Sequence, residues 1–597
     1  MHNNDKRPDI SFSTGRIDLS HARADPAARL ATLRAVRDAA QAGELDRAGV
    51  LAESALRGGL EHPFLLNVHA LTLERVGRLG EAAACLRRAV QLAPGDPSLL
   101  NALGLCLSGL ERPAEALDAF DRALAIAPGY AAAHGNRGAA LEALGRLKPA
   151  EASYRRALEL LPGHLGALTG LASLASRYGA HREARGYAVR VLEAEPNYPS
   201  AVMSLAAADL ADGAATEAEA RLRTLLSDRR PSAVQKGAAM GLLGDVLDAQ
   251  GRIPEAFDVY AGAGDTLQRA YAPRYTGEGR ALTAVRWMSV CFDAAPPEAW
   301  APSRAIPGGH GDAAGHVFLL GFPRSGTTLL SQALAGHPDV EVLDEGEPLI
   351  DGVRAFLGSP GDLDRLARAP EAELRPLREA YWRRVHEAGA RPAGKVFVDK
   401  HPLNTLKLPL IVRLFPQARI LFARRDPRDL VLSCFRRRFA MSAPIYELLT
   451  LEGAAVFYDA VMGLASRLNT LTRLDLHAVS HERIIDDFDG EMGRVCAFLR
   501  LDWSDGLRDF APRARQRGVA TPSAAQLARG LSAEGRGQWR RYQAQMQPVL
   551  PILDPWIRRF GYDALETDED GPLTSPASPR AGARKGDADL GGKVWSE

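Results

Sequence analysis

The residues best placed to do chemistry lie in VFLLGFPRSGTTLL (317–330), where Gly321 and Gly326 bracket a turn that holds Arg324 and Ser325. The apolar run Val317–Leu320 reads as a strand, and the residues after Gly326 read as the start of a helix. A strand, a glycine-bounded turn and a helix N-terminus aim backbone N–H groups at one point, which is how a chain cradles an anion. Arg324 puts a guanidinium inside that turn, and Ser325, Gly326, Thr327 and Thr328 add hydroxyl and backbone donors.

The spacing Gly321-x4-Gly326 equals that of the nucleotide-triphosphatase P-loop, yet Thr327 stands where that loop has its phosphate-binding lysine. A phosphate cradle without this lysine points to a donor other than ATP. The segment PRSGTT resembles the 5′-phosphosulfate loop of sulfotransferases, which use 3′-phosphoadenosine 5′-phosphosulfate (PAPS). Such a donor needs a second anion site, and ILFARRDPRDLVLSCFRRRF (420–439) supplies candidates. Arg425 at a strand end and Ser433, eight residues on, resemble the arginine–serine pair that grips the 3′-phosphate in this superfamily. Arg437, one helical turn past Ser433, is expected on the same face. Arginine suits the task because its planar fork donates two hydrogen bonds to phosphate oxygens. Arg436 and Arg438 are read as a solvated basic face.

The order PRSGTT, helix, His337-Pro338, then Glu resembles the tyrosylprotein sulfotransferases in particular. That resemblance places the catalytic base on Glu345, with Glu347 and His401 as alternatives, and the catalytic lysine on Lys400. It also aligns Ser523, Gln526 and Trp539 with the loop that closes over the donor, Ser523 matching the serine that bonds the leaving phosphosulfate. Gln538 stands where a basic residue normally precedes the tryptophan, leaving Arg536, Arg540 or Arg541 to compensate. The family's substrate-binding arginine falls on Glu347, a departure that bears on the acceptor. Sulfuryl transfer is formally like phosphoryl transfer, so the site needs a base for the acceptor, cations at the sulfonate and a donor to the leaving group. The resemblance implies catalytic roles for Glu345, Lys400, Arg324 and Ser523, donor contacts at 324–328, Arg425, Ser433, Arg437 and Ser523, PAPS as co-substrate, and no metal.

The elements that must position these residues form a multidomain chain. At 597 residues it exceeds one core. A net charge of +1 gives no global attraction to nucleic acid or anionic membrane. The five scattered cysteines form no CxxC pair, which fits a reducing compartment. With no apolar leader in the first residues and no run near the ~20 apolar residues of a membrane span, the expected location is cytoplasmic.

Pro94, Pro128, Pro162 and Pro196 recur every 34 residues. Between them, Gly104, Leu107, Ala116, Phe120 and Ala123 repeat as Gly138, Leu141, Ala150, Tyr154 and Ala157, and the pattern persists at Gly244, Ala256, Tyr260 and Ala263. This period resembles the tetratricopeptide repeat, with about seven units over 28–270, the terminal ones degenerate. The remaining divisions are a flexible N-terminus (1–27), a connector (271–312) whose first part adds a helix, a sulfotransferase domain (313–565) and a disordered tail (566–597). Expected strands are 316–322, 395–400, 418–425 and 476–484, alternating with helical patterns as in an α/β fold with a central parallel sheet.

The fold class expected is thus an all-α tetratricopeptide solenoid followed by an α/β, P-loop-like sulfotransferase domain, an arrangement similar to a bacterial one. The expected function is PAPS-dependent transfer to an acceptor hydroxyl, protein tyrosine being favoured, with the repeats recruiting a protein partner or substrate. The competing readings are a P-loop kinase or nucleotide hydrolase, and a tetratricopeptide adaptor with an inactive transferase domain.

Overall fold

The computed structural model describes residues 26–300, 311–517, 527 and 530–562. The N-terminal segment, the end of the connector, Ser523 and Gln526 of the closing loop, and the C-terminal tail lie outside these residues.

The chain divides into two compact units, Met1–Asp212 and Gly213–Glu597. In the first, antiparallel helices from Pro26–Gln41 to Pro199–Ala211 follow one another through short turns. The 34-residue pattern is steric in origin. A Cβ on Gly104 would lie 2.5 Å from the Phe120 ring, and one on Gly138 would lie 2.6 Å from the Tyr154 ring. The glycine of each first helix therefore lets the aromatic of the second press onto its backbone. Ala82, Ala116, Ala150 and Ala184 are all fully buried at the matching crossing point, where a larger side chain would force the helices apart.

The second unit opens with the helices Ala215–Ser227, Ala233–Ala249 and Ile253–Tyr271. The helix expected in the connector is present as Ala281–Ala294, with Leu282, Val285, Met288 and Phe292 buried. Arg280 ion-pairs with Glu447, which also accepts from Leu282 N at 3.1 Å.

Five parallel strands follow: β1 Gly315–Leu320, β2 Val340–Asp344, β3 Val396–Lys400, β4 Arg419–Arg424 and β5 Leu476–Ser480, in the order β2-β3-β1-β4-β5. The α-solenoid followed by a parallel-sheet domain matches the sequence expectation of fold class. β2 is absent from that expectation: VEVLD is short, sits at the sheet edge and carries two acids, so its apolar signal is weak. The chain runs from β1 out to the edge strand β2, back to β3 beside β1, and then crosses to β4 on the other side of β1. Such a switch point opens a crevice at the carboxyl ends of the strands. No helix among the described residues is long and apolar enough to cross a membrane.

Candidate active site

The chemical motifs of the sequence that fall within the described residues meet at this crevice. The turn after β1 begins with Gly321, whose N–H donates to Thr405 Oγ1 at 3.2 Å while that hydroxyl donates back to the Gly321 carbonyl at 2.6 Å. Thr405 thereby anchors the turn to the segment after β3. Gly326, at φ +96°, caps the helix Thr327–Leu334, and a Cβ on it would lie 2.6 Å from His481 Nδ1. Arg324 adopts φ +71°, a left-handed backbone that non-glycine residues rarely take. Its guanidinium Nε donates to Ser433 Oγ at 3.0 Å, and its carbonyl accepts from Arg425 Nη1 at 3.2 Å. The turn and the Arg425–Ser433 segment thus meet.

The electrostatics of this cluster are those of a site built for an anion. Burial lowers the Arg324 pKa, and the neighbouring cations Arg437 and Arg425 lower it further, to about 9. Among the described residues, Ser325 Oγ, His481 Nδ1 and Arg425 Nε are buried without hydrogen-bond partners. Buried polar atoms almost always find partners, so three unsatisfied ones around a cationic turn fit a phosphate-type ligand.

His481, just past the end of β5, lies outside the sequence reading, because nothing near it marks a site. Burial first, then Arg425 and Arg324, lower its pKa from 6.5 to about 3. Between those values the unfolded chain binds a proton that the folded chain refuses, so this group costs stability as pH falls below 6.5. Asp399 and Asp429, whose carboxyls burial raises to about 6, act in the opposite sense. We expect His481→Gln to lose less thermal stability than wild type between pH 7 and pH 5, as measured by calorimetric Tm. Parallel Tm–pH curves would contradict this assignment.

The helix Pro427–Arg436 ends one residue before Arg437, which takes an extended C-cap conformation (φ −91°, ψ 144°). Helical spacing from Ser433 therefore does not place Arg437, although it still faces Arg324 electrostatically. The expectation that Arg436 and Arg438 are solvated is also corrected. Arg436 is only 17% exposed, and donates to Asp248 at 2.7 Å from between the rings of Tyr260 and Tyr542. Arg438 packs against Gly241 and donates to the Tyr260 carbonyl at 3.2 Å. These partners lie nearly 200 residues upstream, beyond the reach of any local charge pattern.

On the far side of β1, Lys400 is fully buried at the end of β3. Its Nζ lies 2.9 Å from Glu345 Oε1 and 3.2 Å from Asp344 Oδ1. Burial alone would lower its pKa, but the two carboxylates outweigh burial and raise it. Asp344 is fixed in turn by Ser331 Oγ (2.9 Å) and Gln332 Nε2 (2.8 Å) from the helix after the turn. These three residues escape the sequence reading because their roles depend on β2 lying beside β3. Glu345 sits just past β2 at φ +53°, its N–H donating to the Lys400 carbonyl at 2.7 Å, and its side chain is 42% exposed. The strained backbone turns an accessible carboxylate toward a buried cation.

Glu347 is more exposed, at 52%, but is ion-paired to Lys407 and lies 3.4 Å from His401 Nε2. Burial raises its pKa, and the His401 and Lys407 contacts more than reverse this, leaving it at about 2. The other His401 ring nitrogen, Nδ1, accepts from Leu403 N at 3.2 Å.

The C-terminal segment closes one wall. Arg425 Nη2 donates to the Gly535 carbonyl, and Asp429 accepts from the Gly537 and Trp539 amides at 2.6 and 2.9 Å. Asp429 has no place in the sequence reading, yet these two backbone contacts shape the wall. Trp539 is buried, with the Arg428 guanidinium 4.2 Å from its ring centroid. Of the arginines around Gln538, Arg536 pairs with Asp486 and Arg541 with Asp248, while Arg540 lies 5.7 Å from the Trp539 ring.

Residues 316–505, which run from β1 past β5, match the Sulfotransferase family, and residues 95–163 match the Tetratricopeptide repeat. The chain therefore carries a sulfotransferase-family domain behind tetratricopeptide repeats. Among its relatives, Protein-tyrosine sulfotransferase 1 of Danio rerio is 23% identical over 265 residues, covering 41% of this chain and 72% of that protein. An uncharacterised protein of Aquifex aeolicus is 24% identical over 268 residues, covering 42% of this chain; the match spans only 34% of that protein's length. Among solved structures, a tetratricopeptide repeat protein from Parabacteroides merdae aligns with 40% of this chain and 93% of its own, at 19% identity and a TM-score of 0.33.

Proposed function

We propose that the protein transfers a sulfuryl group from PAPS to an acceptor hydroxyl. The observation that carries this reading is the convergence of Arg324, Arg425 and Ser433 on a glycine turn that has Thr327 in place of the P-loop lysine. In this reading the Gly321–Thr328 turn and Arg324 hold the phosphosulfate, while Arg425, Ser433 and Arg437 hold the 3′-phosphate. Ser325 Oγ and Arg425 Nε, which have no partner among the described residues, are available to such a ligand.

Glu345 takes the acceptor proton as the acceptor oxygen bonds to sulfur. The bond from sulfur to the bridging phosphate oxygen breaks, giving a sulfate ester and 3′-phosphoadenosine 5′-phosphate. Lys400 stabilises charge on the sulfonate and bridging oxygen, and its contact with Glu345 orients the base. Glu347, engaged by Lys407 and His401, is the weaker candidate base. Ser523, which lies outside the described residues, is assigned to the leaving phosphate in this reading on the family resemblance alone.

The relatives named as tyrosine sulfotransferases favour a protein tyrosine as acceptor, with the repeats recruiting the protein that bears it. Glu347 replaces the family's substrate arginine, so acidic flanking sequences lose a contact here. The test is calorimetric titration of the full chain with 3′-phosphoadenosine 5′-phosphate, with ATP·Mg²⁺ as control. Micromolar binding of the bisphosphate alone supports the reading. ATP binding without bisphosphate binding overturns it in favour of a kinase or nucleotide hydrolase.

A further inference from the structure

Asp248 lies near the C-terminus of the helix Ala233–Ala249, where the helix dipole disfavours a carboxylate. Its side chain is nonetheless mostly buried, because three side chains from the catalytic domain converge on it. Arg436 Nη2 donates to Oδ2 at 2.7 Å, the Tyr542 hydroxyl donates to Oδ1 at 2.6 Å, and Arg541 Nη2 lies 3.2 Å from Oδ1. Arg541 also donates to the Asp248 main-chain carbonyl at 3.0 Å. One turn earlier, Asp245 accepts from the Tyr260 hydroxyl at 2.7 Å and lies 4.0 Å from Arg437.

The groups gathered on Asp248 come from two separate segments. Arg436 ends the helix that carries Ser433, whereas Arg541 and Tyr542 end the segment whose Gly535, Gly537 and Trp539 are held by Arg425 and Asp429. These are the two walls of the proposed donor cleft. Phe257, Tyr260, Phe435 and Tyr542 pack between them, with ring centroids 5.3 Å apart for Phe257–Phe435 and 6.5 Å for Phe257–Tyr542. The carboxylate is thus a cross-link between the walls, supplied by a helix of the repeat region.

We propose that Asp248 is a positioning residue for the donor site: it fixes both walls, so that the last helical pair is part of the donor-binding apparatus. This rests on the sulfuryl-donor reading above. Because Asp248 acts through Arg436 and Tyr542, its loss should loosen the walls while leaving the anion-binding residues in place. A coupling of this kind changes affinity by about tenfold.

The experiment compares wild type, Asp248→Asn, Asp248→Glu and Tyr542→Phe as full chains. Each is titrated with 3′-phosphoadenosine 5′-phosphate, and amide hydrogen exchange is followed over residues 530–542 by mass spectrometry. The expected result is about tenfold weaker binding for Asp248→Asn with faster exchange at 530–542, partial recovery in Asp248→Glu, and a smaller change in the same direction for Tyr542→Phe. Exchange in the helices of residues 26–211 should not change, which separates this effect from general destabilisation. If Asp248→Asn does not fold, Tyr542→Phe, which removes one hydroxyl, carries the test. Wild-type affinity in the folded variants, or faster exchange without weaker binding, overturns the proposal while leaving the donor reading intact. Failure of wild type to bind the bisphosphate overturns both.

Discussion

Glu345→Gln is expected to lower kcat by about 10²–10⁴ while 3′-phosphoadenosine 5′-phosphate still binds. The substitution keeps the shape of the side chain and removes its capacity to accept a proton. Donor affinity should survive because Glu345 follows β2, apart from the arginines around the Gly321–Gly326 turn. Asp344 remains within 3.2 Å of Lys400, so the buried ammonium keeps a carboxylate partner. Glu347→Gln should have a much smaller effect, since Glu347 already pairs with Lys407 and faces His401. The measurement is bisphosphate release from PAPS with a tyrosine-containing peptide as acceptor. Near-wild-type turnover in Glu345→Gln together with a collapse in Glu347→Gln would transfer the role of base to Glu347.

Arg425→Ala should produce the opposite signature, with bisphosphate binding weakened by about 10²-fold. Arg425 joins two parts of the site: its guanidinium donates to the carbonyls of Arg324 and Gly535, and its Nε is buried without a partner among the described residues. Its removal takes a charged donor from the anion site and also releases the C-terminal wall. Arg425→Lys separates the two effects, because it keeps the charge but loses the fork that spans both carbonyls. Calorimetric titration reads the affinity, and hydrogen exchange over 530–542 reads the wall. Unchanged affinity in Arg425→Ala would remove this residue from the donor site.

Features carried by neighbours along the chain are legible in the sequence. VFLLGFPRSGTTLL spells strand, turn and helix within fourteen residues, and the structure forms β1, the turn and the helix Thr327–Leu334 there. The repeat period is legible for the same reason, since Gly104 and Phe120 lie on consecutive helices. What escapes depends on distant segments meeting. Asp344 has meaning only once β2 pairs with β3, and His481 only once β5 brings it against Gly326. Arg436 and Arg438 read as solvated because their partners, Asp248, Tyr260 and Gly241, belong to helices that precede them by nearly two hundred residues.

The division of the chain at Asp212/Gly213 also constrains how such proteins can be recombined. A crossover in the connector, where the sequence alone would place the seam, would separate Asp245, Asp248 and Tyr260 from Arg436, Arg437 and Tyr542. A crossover ahead of Gly213 would keep them together and exchange only the helices before it. The exchangeable helical segment is therefore shorter than the repeat pattern, and the final repeat helices are inherited with the sulfotransferase-family domain.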